Sequence, residues 1–375
     1  MTGTISDTER LFAAENVVLD SDDAYELHLE YYRRGWSDGL PVIPATPARV
    51  RAMLEYAPAG WRLDPRLPPA QGIATAEALA IQAVMAGCQP KQFPVVLAAI
   101  EAMSDPIFNL TTVQATTHSV APFLVVNGPK RDELEFYGGP GCLGPGSQAN
   151  ATVGRAVRLA LLNIGGGVPG VGDKASQGHP GKYTYCIAEN EEANPWEPLH
   201  IERGFDATTS TVTVFGAGAP VNVNNHVGKT AVHILDTFAD AMVTIGGTVM
   251  HRRAYGKEGH DQTGEFIVLF APEHAATIAA DGWSKDDVQR YLFEHARIPT
   301  ELMPKTGMWG MHEAPRWMQL DRPGWKVPVV ASPECFVVIV AGGEGKHSSC
   351  IPTHGSSTHS VTVAFDRPGI EEGRR

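Results

Sequence analysis

Apolar positions fall into two regimes along this chain. Through the first hundred residues they recur every three to four positions, the period of one helix face. Ser21 is placed to cap a helix that runs to about Arg34, with Tyr25, Leu29 and Tyr32 on one side. Asp38-Gly39 then marks a turn ahead of the short run Leu40-Pro41-Val42-Ile43-Pro44. Thr46-Pro47 reads as a helix start, because proline at the first helical position loses no needed donor, and Val50, Met53 and Leu54 follow on one face. Thr75 caps the next helix, which ends near Gly87, and another covers residues 90–103.

From Thr111 onward the apolar runs become continuous. Residues 123–126 lead into Asn127-Gly128, residues 211–215 into Gly216-Ala217-Gly218, and residues 336–340 into Ala341-Gly342-Gly343. Short runs without alternation predict strands buried on both faces. Three strands ending alike read either as a degenerate internal repeat or as ordinary strand ends of an α/β protein. Helical periodicity covers 152–162, 230–245, 273–280 and 284–296, with Arg155 and Arg158 off the apolar stripe of the first. Residues 299–328, rich in Pro, Met and Trp, lack periodicity and are expected to form a long ordered excursion or lid. The expected fold is α/β: a mixed sheet core with glycine-rich strand-to-helix loops behind a helical N-terminal region. Its expected divisions are a helical 1–110, an α/β core over 111–366 carrying the site, and a charged, frayed tail over 367–375.

Composition narrows the function classes. A hydrophobic share of 43% with 19% charged residues is that of a globular chain, and 375 residues suffice for one large core or two moderate ones. The net charge of −12 argues against nucleic acid, which demands a concentrated basic surface. The N-terminus has no apolar signal segment, and no apolar run is long enough to span a bilayer, so a cytoplasmic protein without membrane partners is expected. Cys88, Cys142, Cys186, Cys335 and Cys350 are irregularly spaced and odd in number, which fits reduced thiols better than a disulfide framework.

Three segments concentrate candidate chemistry. The loop Gly138–Gly146 precedes a helix start. It reads either as an anion cradle, with Gly144, Gly146, Ser147, Asn150 and Arg155 binding a carboxylate or similar group, or as a tight structural turn. It matches no nucleotide fingerprint, so no nucleotide cofactor is expected. The segment 173–200 is densest. Read as a strand, 182–187 puts Lys182, Thr184 and Cys186 on one face, where a lysine would favour the thiolate, and His179 and Glu189 supply acid–base groups. The alternative is a buried cysteine beside a solvated acidic loop. The third segment runs from Gly342 to Cys350 and on from His354 to His359, and its Gly345-Lys346-His347 is not a phosphate loop because His347 stands where Ser or Thr should hold magnesium. His347 and Cys350 read as soft metal ligands, as a thiol–imidazole pair, or as part of a Ser/Gly-rich turn. Catalytic candidates are therefore His179, Lys182, Cys186, Glu189, His347 and Cys350. One divalent transition metal ion is entertained on His118, His179 and Cys186. His226 and His233 are spaced by two helical turns, but Val227-Gly228 speaks against a shared face, and His274 reads as a helix-start residue.

The strings Asp38-Gly39-Leu40-Pro41-Val42-Ile43-Pro44, Gly178-His179-Pro180-Gly181-Lys182-Tyr183 and Ala341-Gly342-Gly343 to Ser348 resemble an uncharacterised bacterial family across most of the chain. Its members are linked with small thiol or selenol proteins bearing a UGSC motif, themselves similar to the selenoprotein B subunit of glycine and betaine reductases. The nearest string here, His347-Ser348-Ser349-Cys350, lacks the leading redox residue and the glycine of that motif. The resemblance implies an association with thiol redox chemistry and a small thiol or selenol protein partner; it carries no catalytic residue over. Three readings follow. The first is an enzyme acting on a small polar or anionic molecule by lyase- or hydrolase-type chemistry. The second is a thiol-dependent subunit of a reductase complex, and the third a non-catalytic ligand-binding subunit. A homo-oligomer is expected from the helix-rich N-terminus and the apolar 299–328 stretch.

Overall fold

The apolar runs are covered on both faces because the chain builds two sheets and stacks them. The structure, a computed structural model, describes residues 17–19, 21–57, 61, 66–244, 264–299, 322–355 and 358–366. The strands are β1 (Ala121–Asn127), β2 (Cys186–Ala188), β3 (Thr211–Ala217), β4 (Val221–Asn224), β5 (Phe266–Phe270), β6 (Arg297–Pro299), β7 (Lys326–Pro328), β8 (Phe336–Val340), β9 (His347–Pro352) and β10 (Val361–Ala364). One mixed sheet has the order β10-β3-β1-β2 and the other β4-β9-β5-β8, with β6 and β7 forming a separate ribbon.

Side chains alternate across each strand, and the alternation sorts them into three cores. Phe123 and Val125 of β1, Ile267 and Leu269 of β5, and Val337 and Ile339 of β8 fill the layer between the sheets. The intervening Leu124 and Val126 point outward under the helices α3 (Ala76–Ala86), α4 (Phe93–Ser104) and α7 (Gln148–Asn163). Phe266, Val268 and Phe270 point outward on the other side, under α9 (Ala231–Thr244), α10 (Pro272–Ala280) and α11 (Lys285–His295). The chain is thus an α/β protein with the layer order helix–sheet–sheet–helix. The remaining helices α1 (Ala24–Arg33), α2 (Pro47–Leu54), α5 (Leu110–Ala115), α6 (Lys130–Glu133) and α8 (Leu199–Glu202) lie around this frame.

The two sheets repeat one topology. β1 pairs in parallel with β2 and antiparallel with β3, just as β5 pairs in parallel with β8 and antiparallel with β9. In each half the fourth strand then leaves for the other sheet: β4 pairs with β9, and β10 pairs with β3. A repeat is therefore present in the topology, with units other than the three glycine-ended strands. β1 corresponds to β5 and β8 to β2, while β3 corresponds to β9. The two crossings meet at an antiparallel bridge between Ala217 and Thr353, flanked by Gly218 N–H to Pro352 O and His354 N–H to Gly216 O, both at 2.7 Å.

Several sequence expectations shift. Asp23 caps α1 in place of Ser21, because its carboxylate accepts from both Tyr25 N–H and Glu26 N–H while Ser21 accepts from Asp23 N–H. The helix expected from 152 begins at Gln148, capped by Ser147, whose hydroxyl accepts from Asn150 N–H at 3.1 Å. Of the expected strand 182–187 only its end is extended, since Pro180–Lys182 forms a short 3-10 turn. The expected lid falls mainly on residues 300–321 and the tail on 367–375, both outside the described residues. Among the described residues no single helix is long and apolar enough to cross a membrane. One bent pair, Pro90–Ser104 with Pro106–Ala115, has the length and composition, and α4 within it is buried in the outer core of the first sheet.

Candidate active site

At one end of the sandwich, where β1, β2, β5 and β8 finish, the glycine loop meets the opposite sheet. Gly342 N–H donates to Gly138 O at 2.7 Å, Asn190 N–H to Val340 O at 2.8 Å, and Asn190 Nδ2 to Gly342 O at 3.2 Å. A Cβ on Gly138 would sit 2.6 Å from Ala188 O, so only glycine allows this approach. The side chains expected to bind an anion are engaged internally. Asn150 accepts from Tyr137 N–H and donates to the carbonyls of Tyr137 and Cys142, and the Ser147 hydroxyl donates to Glu135 O. Arg155 forms a two-pronged ion pair with Asp38 at 2.8 and 2.7 Å and also donates to the carbonyls of Leu40 and Pro41. Gly144 N–H closes a turn onto Gly141 O, and Gly146 holds a φ of +137° that favours glycine. The expected anion cradle is thus corrected to a structural turn, and Arg155 to the latch that holds Asp38-Gly39-Leu40-Pro41 on α7.

Cys186 is also corrected. Its thiol faces the helices, 5% exposed, and burial pushes its pKa up, with the nearby Cys88 thiol adding to the effect. Lys182 lies on the 3-10 turn and pairs with Asp173 at 2.5 Å, so it does not activate this thiol. Glu189 is 1% exposed and accepts from Asn127 Nδ2 (2.6 Å), Leu199 N–H (2.8 Å), Asn194 Nδ2 (2.8 Å) and Val340 N–H (3.4 Å). Burial pushes its pKa up, opposed by the charge of Lys285 and by the Leu199 and Asn127 donors. It ties the two sheets together and reaches no solvent. Cys350 is fully buried in the core of the second sheet, whereas His347 is exposed at the start of β9, so they form no pair.

The opposite end of the sandwich, at the sheet crossing, gathers histidines from three loops. His354 follows β9 and is 1% exposed, with its backbone bonded to Gly216. His118, half-buried ahead of β1, has its ring centroid 5.6 Å from that of His354. His179 is half-buried, and its Nδ1 accepts from Gly181 N–H at 3.1 Å. That bond leaves the ring proton on Nε2, which lies 3.4 Å from Ala217 O. The Tyr185 hydroxyl donates to Gly218 O at 3.1 Å. Ser176 N–H to Thr117 O at 3.0 Å ties the His179 loop to the His118 loop. His179 and Tyr185 therefore reach the strand end Gly216-Ala217-Gly218 with their side chains and His354 with its backbone, while His118 lies against the His354 ring.

Cationic groups back this cluster. Asp173, 5% exposed, lies between Lys182 at 2.5 Å and Arg158 at 3.7 Å, so the trio carries one net positive charge. Arg158 is further fixed by the Lys182 carbonyl and the Gln114 side chain. Burial holds the His179 pKa below its ordinary value, and the charges of Lys182 and Arg158 act in the same direction. Burial likewise lowers that of Lys182 against the pull of Asp173. The arrangement offers a neutral imidazole with a donor at Nε2 on Ala217, a pair of imidazoles at the adjoining Gly216, and a positive field behind.

His118 and His179 fall in one region, but Cys186 lies on the outer face of its sheet and cannot join them. Among the described residues no group of three or more His, Cys, Asp and Glu side chains is placed to hold a metal ion. Tyr185 and the Arg158–Asp173 pair were not singled out in the sequence, and His354 fell within the third candidate segment without a role of its own. His354 follows His118 by more than two hundred residues, and only the strand exchange brings them together. Comparison of the chain with family models, curated proteins and solved structures gives no match.

Proposed function

We propose that the chain is an enzyme that acts on a small anionic organic molecule by acid–base chemistry of the lyase or hydrolase type. The convergence of His118, His179 and His354 on Gly216–Gly218, with Arg158, Asp173 and Lys182 behind them, carries this reading. Neutral imidazoles exchange protons near neutral pH, and clusters of perturbed titratable groups mark sites of catalysis more often than of structure. In this reading His179 donates from Nε2 to a substrate oxygen in place of its long contact with Ala217 O. His118 is the partner that takes or returns a proton. The cationic trio orients the substrate's negative charge. The thiol-dependent alternative draws no support from Cys186 or Cys350, which are buried on the outer faces of their sheets. Five cysteines, none of them in a disulfide, accord with a reducing, cytoplasmic setting for this activity.

The test is a thermal-shift screen of small carboxylates and phosphate esters on the full chain, followed by turnover assays on those that bind. An anion that stabilises the wild type but not His179→Gln or Lys182→Gln supports the reading. Equal stabilisation of all three proteins overturns it.

A further inference from the structure

At the other end of the second sheet, an exposed histidine opening β9 and another in the turn after β4 face each other. His347 opens β9, and His226 stands two residues beyond the end of β4, where Asn224 is the register partner of His347. Their Nε2 atoms are 3.0 Å apart, with ring planes at 73°. His347 Nδ1 lies 3.1 Å from Asn222 Oδ1, an atom that only accepts, so Nδ1 carries the proton and Nε2 presents a lone pair. An imidazole whose second nitrogen is held by a side-chain oxygen is the form in which histidine binds metals.

The backbone around the pair is built rather than loose. His274, 1% exposed, reaches both neighbouring positions: its Nε2 donates to Asn225 O at 3.3 Å, and its Nδ1 accepts from the Ser348 hydroxyl at 2.8 Å. Ser348 in turn accepts from Ala271 N–H at 2.9 Å. Asn225 accepts from Val227 N–H and Gly228 N–H and donates to His233 O and Thr237 Oγ1, which fixes the turn that carries His226. The Lys346 ammonium donates to His226 O at 3.2 Å and is countered by Glu273 at 3.5 Å, so the region holds no uncompensated positive charge from that pair.

We infer that His226 and His347 form a surface site for one divalent transition metal ion, with Cu²⁺ preferred. Two ligand nitrogens at bonds of about 2.0 Å stand roughly 2.8 Å apart on a right-angled square-planar ion and roughly 3.3 Å apart on a tetrahedral one. The observed 3.0 Å is nearer the first geometry. On binding, the proton shared between the two Nε2 atoms leaves Nε2 of His226, which becomes the Nδ1–H tautomer, and both lone pairs face one ion. Water completes the coordination, since both residues are exposed. This site is separate from the proposed active site, and the two stand or fall independently.

The experiment is a titration of chelator-treated full-length protein with CuCl₂, followed by calorimetry and by paramagnetic resonance. Both histidines are exposed, so substitutions should leave the fold intact, which circular dichroism checks. One equivalent is expected with two equatorial nitrogen ligands, lost in the double variant His226→Gln, His347→Gln. Asn222→Ala is expected to weaken it roughly 10- to 100-fold, as loss of a supporting partner does. His295→Gln, another exposed histidine, should bind as the wild type does. Wild-type affinity and spectrum in the double variant, or no such equivalent in the wild type, overturns the inference.

Discussion

The N–H of His354 donates to the carbonyl of Gly216 at 2.7 Å, and this bond joins the two places where the chain changes sheets. His354 belongs to the crossing from β9 to β10 and Gly216 to that from β3 to β4. Each crossing leaves a strand end paired in register on one side only, and polar side chains from the neighbouring loops close around it. A site at this point is therefore a consequence of the exchange of strands.

Arg155 and Asp38 connect α7 to the turn before the run Leu40–Pro44, and both side chains are 13% exposed. Removing one partner leaves the other charge poorly solvated, which costs about 3–5 kcal/mol for fully buried pairs. Arg155→Ala and Asp38→Ala should each destabilise the protein by roughly 2–4 kcal/mol in urea unfolding, and the double variant by less than their sum. Strict additivity would show that the ion pair is not what holds the turn.

Glu189 accepts four donors with no access to water. In Glu189→Gln the amide nitrogen faces two of these donors, each left unsatisfied at a cost of roughly 1–3 kcal/mol. A loss of roughly 2–5 kcal/mol is expected, measured by chemical denaturation. A variant as stable as the wild type would mean that the carboxyl does not tie the sheets.

The cysteines differ in reach. Burial pushes Cys88 up to about 12 and Cys142 up to about 11, and Cys186 and Cys350 lie in sealed cores, while Cys335 is only half-buried. Brief alkylation of native protein near neutral pH should label Cys335 first, as read by peptide mass spectrometry. Early labelling of Cys186 or Cys350 would revive a thiol-dependent function.

His179 ties stability to pH. Its native pKa lies below the ordinary 6.5, so between those two values the unfolded chain binds more protons than the native one. Stability from His179 is therefore fully present above about 6.5 and is lost as pH falls below it. Between about pH 7.5 and about pH 5.5 the wild type should lose more stability than His179→Gln. Equal losses would show that the imidazole titrates as it does in the unfolded chain.

The helices were legible because their signals are local. Thr75 and Gly87 bound α3 as expected, and Ser284 with Asp287 forms the capping box of α11. The continuous runs at 123–126 and 336–340 disclosed strands covered on both faces, but not that the second cover is another sheet. Short strands such as β4 and β10, four residues each, carry too little pattern to be read. The Lys182–Cys186 pairing failed because Pro180-Gly181 opens a 3-10 turn and ends the strand period that the reading needed. His118 and His354 were each legible within candidate stretches, but their meeting was not, since their proximity depends on pairing between strands from both halves of the chain.

The central claim is that a small anion binds among His118, His179 and His354. Imidazole carbon-13 shifts of the labelled full chain, followed during titration with an anion that stabilises the protein, test it most directly. The three histidine signals are expected to move together and saturate with the binding curve, while those of His226, His347 and His295 stay still. Movement of His226 and His347 with His118 and His179 unshifted would place the anion elsewhere and contradict the account.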